Sequence, residues 1–98
     1  MILEVAILDV KTDMTVQFEA AFGEAQAIIA SMPGYIEHQL QKCLEKPDRY
    51  ILLVKWQTLA AHTEGFRGSP QYQEWKALLH HFYDPFPEVE HYRSVFHG

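Results

Sequence analysis

The sequence predicts an α+β fold, a four-stranded sheet with two helices on one face, and three observations carry that prediction. The apolar period switches between two residues and about 3.6 in the order β-α-β-β-α-β. Turn formers stand where the period changes, at Pro33-Gly34, Pro47-Asp48, Arg67-Gly68 and Asp84-Pro85-Phe86-Pro87. An apolar fraction of 48% with 13% aromatics in 98 residues supports one packed core, so residues 1–98 are expected to form a single domain.

The first strand, Ile2 to Val10, is apolar on both alternating sets: Ile2, Ala6 and Leu8 on one, Leu3, Val5 and Ile7 on the other. That pattern predicts a central position. Met14, Phe18, Ala21/Phe22, Ala25, Ile28/Ile29 and Met32 then form one helical stripe of about five turns. Thr12 or Asp13 is expected to cap its start, and Gly34 to supply the left-handed residue at its end. Tyr35 to Cys43 alternates, with Ile36, His38 and Leu40 against a mainly polar set of Tyr35, Glu37, Gln39 and Gln41. Cys43, the only cysteine, is expected to pack within this strand. After a turn at Leu44–Asp48, Arg49 to Trp56 is again apolar on both sides and forms a hairpin with the strand before it.

Thr58 can cap a short helix from Leu59 to Phe66, and Ser69 and Pro70 open another in the favoured cap and first-turn positions. The second helix carries Tyr72, Trp75, Leu78/Leu79 and Phe82 on one stripe. Glu88 to Phe96 alternates as a last strand. This is the ferredoxin-like βαββαβ order, in which both crossovers share one hand and so place both helices on one face. The opposite face would leave Leu, Ile and Val of the two central strands uncovered, an exposure unusual for a soluble monomer. A homodimer stacked through that sheet face is the expected cover.

The formal charge of −5 and eight scattered Lys and Arg residues argue against nucleic acid as a partner. A lone cysteine rules out an internal disulfide and any multi-cysteine zinc site. None of the six histidines has the i, i+4 partner of a helical metal site, so no metal is expected. No apolar run approaches the roughly 20 residues of a membrane span, and no basic leader precedes the first strand; a cytoplasmic protein is expected.

Met32-Pro33-Gly34-Tyr35, the run Pro47 to Trp56, and Ala61-His62 followed by Phe66-Arg67-Gly68-Ser69-Pro70, in that order, resemble the antibiotic biosynthesis monooxygenase (ABM) domain, a family of the dimeric α+β barrel superfamily. The resemblance covers nearly the whole chain. It implies oxidation of a small aromatic or enolic molecule by molecular oxygen, with no cofactor, in an apolar pocket. It also implies that Trp56 lines that pocket, that His62 stands where the phenol oxidases have a tyrosine, and that Lys76 falls about where they have an arginine. Leu52 stands where those oxidases have an asparagine, and this chain has no asparagine at all. A haem-degrading branch keeps its asparagine in the first strand, and His80 lies one turn beyond that branch's haem histidine; haem is the weaker expectation.

Each candidate also has a structural reading. Trp56 could stack on a flat substrate or seal the core. His62, with an ordinary pKa near 6.5, could be the base toward a phenol or dienol, or a helix histidine at the surface. Phe66, Tyr72 and Trp75 serve a core stripe as well as a pocket wall. Arg67 could clamp an anionic substrate or close the helix break. His38 and His91, on the two outer strands, can meet across the dimer as a structural histidine pair or through a His91–Glu37 contact. The leading reading is a cofactor-independent monooxygenase with His62 as base; the alternative is a non-catalytic small-molecule binding dimer on the same fold.

Overall fold

The computed structural model describes residues 1–98. The chain runs β1 (Ile2–Asp9), α1 (Thr15–Ala30), β2 (Tyr35–Lys42), β3 (Arg49–Trp56), a π-helical turn (Ala61–Phe66), α2 (Pro70–Leu79), a 3-10 turn (His80–Phe82) and β4 (Val89–Tyr92). The strands are all antiparallel in the order β2-β3-β1-β4, so the two strands apolar on both sides are the central pair. Their register, from Ile2 opposite Trp56 to Asp9 opposite Arg49, ends in a forked ion pair: Arg49 Nε and Nη2 donate to Asp9 Oδ1 and Oδ2 at 2.8 and 3.1 Å. Arg49 thereby holds the Asp9 carboxyl below its usual pKa.

The helices cover one face. Phe18, Phe22, Ala25 and Ile29 of α1 bury the predicted stripe against Tyr50, Leu52, Val54 and Trp56 of β3 and Ala6 and Leu8 of β1. On the other face Leu3, Val5, Ile51 and Leu53 are half-exposed and Ile7 is exposed, framed by Glu37, Gln39, Gln41 and Lys55. No helix is long and apolar enough to cross a membrane.

Several local expectations are corrected. Neither Thr12 nor Asp13 caps α1. Asp13 takes a left-handed φ of 67°, which short polar residues tolerate, and Met14 occupies the cap position with no side-chain bond. A bulge between Tyr35 and Glu37 turns Tyr35 to the helix side, where it meets Trp56 edge-on. Cys43 lies past the end of β2, half-buried beside the turn, its sulfur accepting from the Lys46 N–H. β4 stops at Tyr92, because Leu3 opposite it is almost the first residue of β1 and the residues beyond have no strand to pair with. His38 and His91 both face the helices of their own chain: His38 bonds Tyr35 and Gln26, and His91 bonds His62.

Three expected end signals hold. Ser69 Oγ accepts from Tyr72 N–H at the start of α2, and Thr58 Oγ1 from Ala61 N–H before the π-helical turn. Gly34 has φ 85°, and a Cβ there would stand 2.6 Å from that of Ala61, so this tight crossing of turn and helix admits only glycine.

Candidate functional site

A cavity of about 330 Å³ opens between the sheet and the helices. Its floor is Ala6, Leu8, Leu52 and Val89; Phe66, Tyr72 and Trp75 form one wall, and Tyr83, Phe86 and Pro87 the opposite lip. Four polar side chains interrupt this apolar lining: Glu4, His62, Arg67 and His80. An apolar cavity with a few convergent polar groups is the form most small-molecule sites take.

The π-helical turn sets the site's polar corner. Arg67 N–H reaches back five residues to the His62 carbonyl at 3.1 Å, and this wider turn carries the side chains of both His62 and Arg67 to the cavity. The next turn closes tightly: a Cβ on Gly68 would lie 2.5 Å from the Glu64 carbonyl oxygen, so only glycine permits it.

Glu4 and His62 are the two buried polar residues of the chain, 5% and 3% exposed. Glu4 Oε1 accepts from Trp56 Nε1 at 2.9 Å and lies 3.3 Å from His62 Nε2. His62 Nδ1 is 2.7 Å from His91 Nε2. The three side chains thus form a line running from the cavity to the half-exposed His91 on the outer strand β4. No set of three or more His, Cys, Asp or Glu groups converges into a metal-binding arrangement.

Burial decides the charge of this corner. It pushes the Glu4 carboxyl up to about 7, against the opposing pull of the Trp56 hydrogen bond and the Arg67 charge. It pushes His62 down to about 3, with the Arg67 and His91 charges adding to the effect. Both groups are therefore neutral in mildly acidic solution, the carboxyl holding the proton that an unfolded chain would place on the imidazole. His91 and His80 are also lowered, first by burial and then by Arg67 and Lys76 respectively.

Of the residues expected at the site, His62, Phe66, Arg67, Tyr72 and Trp75 share this cavity. Trp56 lies one layer behind, fully buried, its indole stacked on the His62 ring at 5.3 Å and bonded to Glu4. It backs the polar corner and does not line the wall. Lys76 is exposed on α2 outside the lining, its charge felt at His80. The group missed by sequence reasoning is Glu4. Its signal was present: it is the one acid in the inward set Ile2, Glu4, Ala6, Leu8 of a central strand. Phe86 and Pro87 read in the sequence only as part of a helix stop and Tyr83 carries no sequence signal; the packing of that loop back over the sheet makes all three the cavity lip.

Residues 1–78 match the model of the antibiotic biosynthesis monooxygenase family. The uncharacterised protein YczJ of Bacillus subtilis is 57% identical over 95 residues, covering 97% of this chain and 100% of its own. A crystal structure from Bordetella bronchiseptica, assigned to the antibiotic biosynthesis monooxygenases, superposes with a TM-score of 0.92 at 32% identity over 97% of both chains. SnoaB, a cofactor-independent oxygenase of Streptomyces nogalater, shares the fold with a TM-score of 0.85 at 19% identity, over 98% of this chain and 94% of its own.

Proposed function

The chain belongs to the antibiotic biosynthesis monooxygenase family, and on that premise we propose that it is a cofactor-independent monooxygenase acting on a small aromatic or enolic molecule. The observation that carries this reading is the buried Glu4–His62 pair bordering an otherwise apolar cavity. Such a cavity holds a flat apolar ring, and the pair, His62 included, takes up one proton from its phenol or enol O–H. The substrate keeps the electron pair and, as an anion, reduces molecular oxygen directly. At a substrate CH₂, one oxygen atom becomes the product carbonyl and the other leaves as water with the two hydrogens. Arg67 at the cavity stabilises the negative charge that develops.

The protein acts as a homodimer in this reading. Leu3, Val5, Ile7, Ile51 and Leu53 form a continuous apolar face, and burying such side chains is worth roughly 1.5–3 kcal/mol each. Stacking the same face of a second copy covers them all at once.

An oxygen electrode tests the activity, with a panel of phenols, quinols and enolisable ketones and no added metal or flavin. Uptake is expected, and His62→Ala is expected to lower its rate by ~10²–10⁴, less at high pH where the substrate ionises unaided. Full activity in His62→Ala removes its role. No uptake from any compound favours a second reading, a non-catalytic binding module. That reading has its own support: Leu52 on the cavity floor puts an isobutyl group where an amide would be needed to hold an oxygen intermediate.

A further inference from the structure

We infer that Glu4, His62 and His91 form a proton relay, in which Glu4 exchanges a proton with the bound molecule and His91 exchanges one with solvent. The inference rests on the proton-accepting role proposed above and assigns that role to atoms. Both ring nitrogens of His62 are already engaged, Nε2 facing Glu4 Oε1 at 3.3 Å and Nδ1 facing His91 Nε2 at 2.7 Å. His62 therefore has no free nitrogen for a substrate and stands in the middle of a chain. The two contacts on Glu4 both fall on Oε1, from Trp56 and His62, so neither uses Oε2 of this cavity-lining carboxyl. At the other end, His91 is half-exposed on the edge strand, and its Nδ1 is not used in the bond to His62.

The proton count closes. The carboxyl takes the substrate O–H proton at Oε2 while the substrate keeps the electron pair. A carboxyl proton passes from Oε1 to His62 Nε2, the His62 Nδ1 proton passes to His91 Nε2, and the His91 Nδ1 proton leaves to water. Each group ends in the charge state it began with, and one proton has moved from the cavity to the sheet edge. Trp56 positions Glu4 through the indole N–H and His62 through its stacked ring, so the geometry survives the transfer. The charged and titratable groups around this line are Arg67 from the π-helical turn, and Tyr72, His80 and Tyr83 across the cavity. Arg67 is the one permanent cation among them and opposes protonation of every member of the relay.

The test uses the whole protein and needs no substrate. In wild-type protein with ¹³C-labelled Glu and ¹⁵N-labelled His, the Glu4 carboxyl and the His62 and His91 ring nitrogens are followed from pH 4 to 9. The Glu4 carboxyl is expected to titrate and both rings to respond at its midpoint through the shared hydrogen bonds, and Glu4→Gln should erase that response from both rings while the amide spectrum stays dispersed. Ring nitrogens of His62 and His91 that do not respond at the Glu4 midpoint overturn the relay. So does a ring response at the Glu4 midpoint that persists in Glu4→Gln. Should Glu4→Gln fail to fold, the wild-type comparison of the carboxyl midpoint with the ring responses still decides the question. A ring response at the Glu4 midpoint with no oxygen uptake from any compound rejects the oxygenase reading alone; uptake with no such response rejects the relay alone.

Discussion

Replacing Glu4 by Gln keeps the size of the side chain and its acceptor for Trp56 while removing a titration, and the effect on stability follows from the folded-state pKa values. Glu4 rises from 4.5 to about 7 on folding. A raised acid contributes stability that is fully present below pH 4.5 and is lost as the pH rises through about 7. At about 1.4 kcal/mol per pH unit, the whole loss is about 3 kcal/mol. His62 works in the other direction, falling from 6.5 to about 3, so its contribution is present above pH 6.5 and lost as the pH falls through 3. Between pH 4.5 and 6.5 the two slopes cancel, because folding moves a proton from the imidazole to the carboxyl with no net exchange with solvent. Glu4→Gln removes one slope and unmasks the other. Urea unfolding at fixed protein concentration, from pH 4 to pH 8, should show the variant gaining about 3 kcal/mol relative to wild type across that range. A difference that does not change with pH would mean that Glu4 titrates as an ordinary exposed carboxyl, and the neutral corner would have to be given up.

The remaining predictions concern the core, a turn and the open sheet face. Phe18 is fully buried and its ring meets those of Phe22, Tyr50, Phe82 and Tyr83, so Phe18→Ala should cost about 3–5 kcal/mol in urea unfolding. Val16, 80% exposed on the same helix, should tolerate Ala within about 0.5 kcal/mol. Gly34→Ala meets both a positive φ and a 2.6 Å approach to the Ala61 Cβ, and should lower stability by at least about 1–2 kcal/mol; a neutral result would show that the turn can open. Leu53→Glu, placed on the apolar outer face, should give a light-scattering mass near 11.4 kDa where wild type gives about twice that. A wild-type monomer would refute the stacked dimer.

What the sequence determined by itself is the part of the structure governed by local period and turn chemistry. The stripe Phe18, Phe22, Ala25, Ile29 makes an amphipathic helix whatever surrounds it, and two strands apolar on both sides can sit only at the centre of a sheet. Ser69-Pro70 and Gly34 act within a turn or two of their own positions, so their roles were legible too. Asp13 and Tyr35 depart from the sequence pattern for a reason equally local: a single left-handed residue and a one-residue bulge each change which way the next side chain points, and composition does not reveal either. The site depended on distance along the chain. Glu4, Trp56, His62 and His91 come from four separate elements, and only the register of β1 with β3 and β4, together with the π-helical turn above them, brings them into contact. Tertiary packing also decided their charge. An isolated glutamate loses its proton well below neutral pH and an isolated histidine gains one near 6.5. Removing water from around both in the same corner reverses that order, because neither ion can be solvated there.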